Sequence, residues 1–176
     1  MSETTTDRPL SATERDQAMA LLDGVAPGHS WFAIGMFAAA ATAPGEVAPM
    51  RFVDRIVDGD LLADEGLAAE RLALVVRLYN QVVRDLEGGR APVPDPEDAQ
   101  AIGAFASGYV SGAAVDPSFL RVPELHTAVD YVRRASAFEP GSPFGPPKDM
   151  PATARSEVAA YLDEIVLGAY RVGRKS

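Results

Sequence analysis

Between Asp64 and Leu86, apolar residues recur every three or four positions. Ala68, Leu72, Val75, Tyr79, Val82 and Leu86 fall on one stripe, and Arg71, Arg77, Gln81 and Arg84 lie largely away from it. That period belongs to an α-helix with one face on a core, and Gly88-Gly89 supplies its stop. Upstream, Ser11 with Glu14 three places on forms a capping box for a first helix, which Gly24 ends, with Ala18, Leu21 and Leu22 on one side. His29 or Ser30 opens a second helix that runs to about Thr42, where Pro44-Gly45 stops it. A short helix follows over residues 49–57, with Phe52, Val53 and Ile56 on one face.

Past the stiff connector "RAPVPDP", Asp95 is the expected N-cap, Pro96 the first helical residue and Glu97-Asp98 the first turn of a helix reaching about Val115. Another helix starts at Pro123, with Leu125, Val129 and Val132 inward. A last one covers about 151–172, with Val158, Leu162, Ile165 and Ala169 inward. No alternating run bounded by turns occurs, so no strand is expected. The pattern predicts an all-α helical bundle of about six to eight helices. Residues 1–9 read as disordered and 10–173 as a single domain. Within that domain, "EPGSPFGPPKDMP" (139–151) is a proline-rich loop, ordered only where Phe138 or Phe144 tucks into the body.

Two stretches repeat one another. "FAIGMFAAAATAP" from Phe32 and "FASGYVSGAAVDP" from Phe105 align without a gap and share Phe, Ala, Gly, Ala-Ala and Pro. On a helix Phe32, Gly35 and Ala39 share a stripe, as do Phe105, Gly108 and Gly112. Glycine costs about 1 kcal/mol relative to alanine inside a helix. Glycines aligned on one face therefore point to close helix approach, and Phe32, Gly35, Phe105, Gly108 and Gly112 are assigned to close packing. Each motif leads through proline into a further short helix with its own proline, Pro49 or Pro123. The expected core is two related small-residue helical hairpins packed together.

Composition narrows the function classes. The chain is 47% hydrophobic and 23% charged, ordinary for a globular protein. It has no cysteine, which excludes disulfides, thiolate metal sites and thiol nucleophiles. Net charge is −9 and the pI about 4.7, a balance that disfavours nucleic acid and anionic membranes as partners. Seven acids stand against Arg51 and Arg55 between Glu46 and Glu70. The polar start "MSETTTDRPLSATERD" has neither the basic nor the apolar region of a signal peptide, and the longest apolar run, Trp31 to Ala43, is too short for a membrane helix. A cytoplasmic location is expected.

Candidate chemistry is sparse. His29 and His126 are the only histidines, and they read as a helix-start residue and a surface residue. "DRIVDGDLLADE" places Asp58 and Asp60 like the start of a calcium loop, but Leu61-Leu62 break the pattern. Glu65 with Glu70 and Asp163 with Glu164 lack partners that would separate their acid strengths. No catalytic, cofactor-binding or metal-binding residue is assigned, and no cofactor is expected. Trp31 adjoins Phe32, so one of the two is expected to face away from the core. Trp31, Phe138 and Phe144 are the candidate partner surface.

"HSWFAIGMFAAAATAPGEVAPMRFVDRIV", "LALVVRLYNQVVRDLEGG" and "AIGAFASGYVSGAAVDP" together resemble the YecA/YgfB-like family of bacterial proteins. The resemblance runs in order over residues 15–170. It departs where relatives place Gly-Phe after the histidine and Trp-Cys in the "GAFASG" region. It implies an all-α fold without established enzymatic activity, action through protein contacts, and a homodimer. The cysteine-rich zinc tail of longer relatives is not carried over. The leading expectation is a non-enzymatic interaction or regulatory protein. The alternative is a small-molecule-binding helical protein or minor hydrolase with its ligand between the two glycine-rich hairpins. An aromatic pocket there would favour the latter, a dense groove the former.

Overall fold

The computed structural model describes residues 8–45, 48, 50–57, 65–95, 97–136 and 152–176. Among them are seven α-helices and no strand: α1 (Ala12–Asp23), α2 (His29–Thr42), α3 (Met50–Ile56), α4 (Glu65–Glu87), α5 (Ala99–Ala113), α6 (Pro123–Ser136) and α7 (Ala152–Gly173). A 3₁₀ turn (Phe119–Arg121) precedes α6. The protein is an all-α helical bundle. None of the described helices is long and apolar enough to cross a membrane.

The centre of the bundle is α2. After His29 its sequence carries no ionisable side chain, and a helix apolar on all sides can only be stable when it is surrounded. It touches α1, α3, α4, α5 and α7, while α6 lies between α5 and α7. Ile34, Met36 and Phe37 of α2 are buried, each contributing about 1.5–3 kcal/mol of transfer free energy. Phe37 meets Tyr79 of α4 edge-on, with ring centroids 5.5 Å apart.

The capping box stands as the sequence indicates. The Ser11 hydroxyl accepts the Glu14 N–H, and the Glu14 carboxylate accepts the Ser11 N–H. The expected inward residues of α3 (Phe52, Val53, Ile56) and α6 (Leu125, Val129, Val132) are buried. Elsewhere the structure differs. The N-cap of α5 is Asp98, not Asp95. The Asp95 carboxylate accepts the Glu97 N–H in a tight turn, and only then does Asp98 accept from Ala101. Two aspartates three apart compete for one role, and the turn takes the first. The far end of α5 falls at Ala113 rather than Val115, whose N–H bonds Gly112 in a turn.

On α7, Leu162 and Ala169 are buried as expected, but Val166 is buried where Ile165 is only partly so. On α4, Arg77 is buried too, because α4 packs on α1 as well as on α2. The helices that follow the two repeats are unequal, α3 having 7 residues and α6 having 14. Phe138 and Phe144 with the proline-rich stretch, Asp58 and Asp60, Asp64 as a cap, and the side chain of Val158 lie outside the described residues.

Candidate functional site

The repeated motif forms the seam between α2 and α5. A Cβ added at Gly35 would overlap the carbonyl oxygen of Phe105, lying 2.8 Å from its carbon and 2.9 Å from the Tyr109 nitrogen. One added at Gly108 would overlap the carbonyl oxygen of Phe32, lying 2.7 Å from its carbon and 2.9 Å from its Cα. Phe32 and Gly35 stand to Phe105 and Gly108 as first copy to second, so each contact is the image of the other. Such an exchange is what a local two-fold axis between two helices produces. Gly28 near Gln100 and Ala104 at one end, and Gly112 near Met36 and Ala39 at the other, show that α2 and α5 run in the same direction. All three glycines assigned to close packing are there. What they meet is mainly backbone, and the two phenylalanines contribute carbonyls to the contact. Phe105 is buried, whereas Phe32 is only partly buried and stacks on His29 at 5.6 Å.

A fourth glycine belongs to the same arrangement. A Cβ at Gly173, at the end of α7, would overlap the Thr42 carbonyl oxygen. In the sequence Gly173 carries no signal beyond that of a helix end. Beside it, Tyr109 is wholly buried between α2, α5 and the 3₁₀ turn, edge-on to Phe119 at 6.1 Å. Its hydroxyl has no hydrogen-bond partner among the described residues. Burial raises the Tyr109 pKa.

The other end of the seam is closed by local chemistry. Gly28, in the left-handed region with φ 78°, turns the chain into α2 but supplies no side-chain cap. The Asp23 carboxylate, from the end of α1, accepts the Ser30 N–H at 2.9 Å and takes that role. His29 Nε2 donates to the Ile56 carbonyl at 2.8 Å, fixing α3 to the start of α2. Trp31 is partly buried and packs on the core, as does Phe32. With neighbours on most of its sides, α2 gives both adjacent aromatics something to cover.

Several other ionisable groups form structural contacts. His126 lies 3.8 Å from Asp130 on the exposed face of α6. Asp163 accepts the Ala91 N–H at 3.1 Å and so ties the connector to α7. Asp85, buried on α4, accepts from Arg90 at 2.6 Å and from Gln81 at 3.1 Å. Glu14 accepts from Arg77 at 3.0 Å, from Ser11 and from Arg8. Its pKa is lowered to about 2, first by the Arg77 hydrogen bond and then by Ser11. Among the described residues no three His, Cys, Asp or Glu gather in a way that could hold a metal ion.

Compared with known proteins, the chain matches no family model, no curated protein and no solved structure.

Proposed function

We propose that this is a non-enzymatic interaction protein of the YecA/YgfB-like type, cytoplasmic, homodimeric, and acting by binding another protein. The observation that carries the reading is the density of the α2–α5 seam. The alternative places a ligand between the two glycine-rich hairpins, and where their glycine helices meet, backbone approaches backbone too closely for even a methyl group at Gly35 or Gly108. A small-molecule site is concave and of some hundreds of cubic ångströms.

The side chains offered outward suit contacts better than chemistry. Met50, Leu67, Leu120 and Tyr161 are the exposed large apolar residues among those described, and aromatic or apolar anchors of this kind carry much of the binding energy at protein interfaces. Among the described residues, the groups whose acid strength is displaced are Glu14, held by arginine, and Tyr79, Tyr109 and Tyr170, raised first by burial.

The test is affinity capture of the full chain from lysate of its source, with Leu67→Ser and Tyr161→Ser alongside, and sedimentation equilibrium for self-association. A discrete partner lost in a surface variant, together with a dimer, is the expected result. A monomer that captures nothing, but whose melting temperature rises with a metabolite, would return the reading to the small-molecule class.

A further inference from the structure

Ahead of α1 the chain crosses onto α4. The Arg84 guanidinium donates to the Arg8 carbonyl and the Leu10 N–H donates to Gln81 Oε1, each at 3.3 Å. The partly buried Leu10 side chain packs on the core beside them. A further anchor is the carboxylate of Glu14. Glu14 Oε1 accepts from Arg8 and from Arg77, and Oε2 accepts the Ser11 N–H at 2.8 Å. Arg77 depends on that carboxylate, since its residue is 9% exposed and its Nε and Nη2 are buried without a partner.

An arginine so enclosed is tolerated while a counter-charge touches it and becomes costly when the charge is removed. The same carboxylate also holds Arg8 and the Ser11 N–H, so its neutralisation loosens the short segment ahead of α1. We propose that residues 8–11 form a releasable strap on α4, held shut by ionised Glu14. On loss of that charge the strap opens and uncovers the flank of α4 at Gln81 and Arg84, while the α2–α5 core stays folded.

The charged groups facing Glu14 are Arg8 from the strap and Arg77 from α4. Arg84 and Asp85 stand further along the same helix, Asp85 being engaged by Arg90 and Gln81. Release therefore presents a cation on the flank of an otherwise acidic protein. Local openings of this kind lie at the low end of a fold's stability range.

The test is amide hydrogen exchange on the full-length protein, comparing wild type with Glu14→Gln and Gln81→Ala. Leu10 is the reporter, because its acceptor is Gln81 and is untouched in Glu14→Gln. The expected result is at least tenfold faster exchange at Leu10 in Glu14→Gln, with the Leu78 and Phe105 amides unchanged. Unchanged Leu10 protection, or equal acceleration at Leu78, overturns the proposal, the latter because Glu14 would then support the whole fold. If Glu14→Gln does not fold, the wild type is titrated from about pH 5 to pH 2, with rates corrected for intrinsic exchange. Leu10 protection should then fall before that of Leu78, and simultaneous loss or full retention at pH 2 overturns the strap.

Discussion

Replacing Gly108 by alanine pits two effects of opposite sign. Alanine is the better helix former by about 1 kcal/mol, so at an indifferent position the change stabilises. At Gly108 the new methyl falls on the Phe32 carbonyl, with that residue's carbon 2.7 Å and its Cα 2.9 Å away. These atoms are backbone of the opening turn of α2 and cannot rotate aside, so the helices must separate by roughly an ångström. A gap of 0.5–1 Å forfeits about a quarter to a half of each contact's dispersion energy. Overpacking a core typically costs about 1–3 kcal/mol, and with rigid obstructing atoms the upper end applies. The net loss is about 2 kcal/mol, or about 4–8 °C in Tm for a chain of this size.

Gly168 in α7 is the control, since nothing lies within 4 Å of a Cβ added there. Gly168→Ala should gain about 1 kcal/mol, raising Tm by about 2–4 °C. Calorimetry or urea unfolding of both variants decides the matter. If Gly108→Ala melts at or above wild type, α2 and α5 do not approach as described. Gly35→Ala should mirror Gly108→Ala, and the double variant should cost less than the two singles combined because one displacement relieves both clashes.

Gly173→Ala should destabilise by about 1–3 kcal/mol through the Thr42 carbonyl, and a gain in urea unfolding would count against the α2–α7 contact. Tyr109→Phe removes a buried hydroxyl without a partner and should be neutral or stabilising by up to about 1 kcal/mol; a loss above 1 kcal/mol would mean that the hydroxyl is satisfied. The folded-state pKa of Glu14 is depressed to about 2, so its contribution is present above the unfolded carboxylate value of about 4.3 and is lost as pH falls towards 2. Glu14→Gln should flatten that limb of the stability-pH curve. Tyr109 is raised by burial, so its contribution is present below about pH 10 and lost as pH climbs above it. Alkaline unfolding should therefore set in at higher pH in Tyr109→Phe.

Local signals determined the helices. Periodic apolar positions place α4 and α6, Ser11 and Glu14 start α1, and the proline and glycine punctuation separates the elements, because helix start and stop depend on hydrogen bonds within a few residues. The glycine repeat went further and identified the seam itself, since a glycine face inside a helix is costly unless something occupies the space. What the sequence could not determine was set by neighbours distant in the chain. Asp98 and Asp95 are equivalent caps until the connector takes one into a turn. Arg77 reads as a solvent-facing residue of α4 until α1 covers it and Glu14 supplies its counter-charge. Gly173 reads as a helix end until Thr42 arrives against it. The local two-fold between α2 and α5 likewise exists only once the chain is folded. The repeat supplies equivalent residues, but it is the meeting of Gly35 with the Phe105 carbonyl and of Gly108 with the Phe32 carbonyl that makes them symmetric, and that contact joins residues some seventy positions apart.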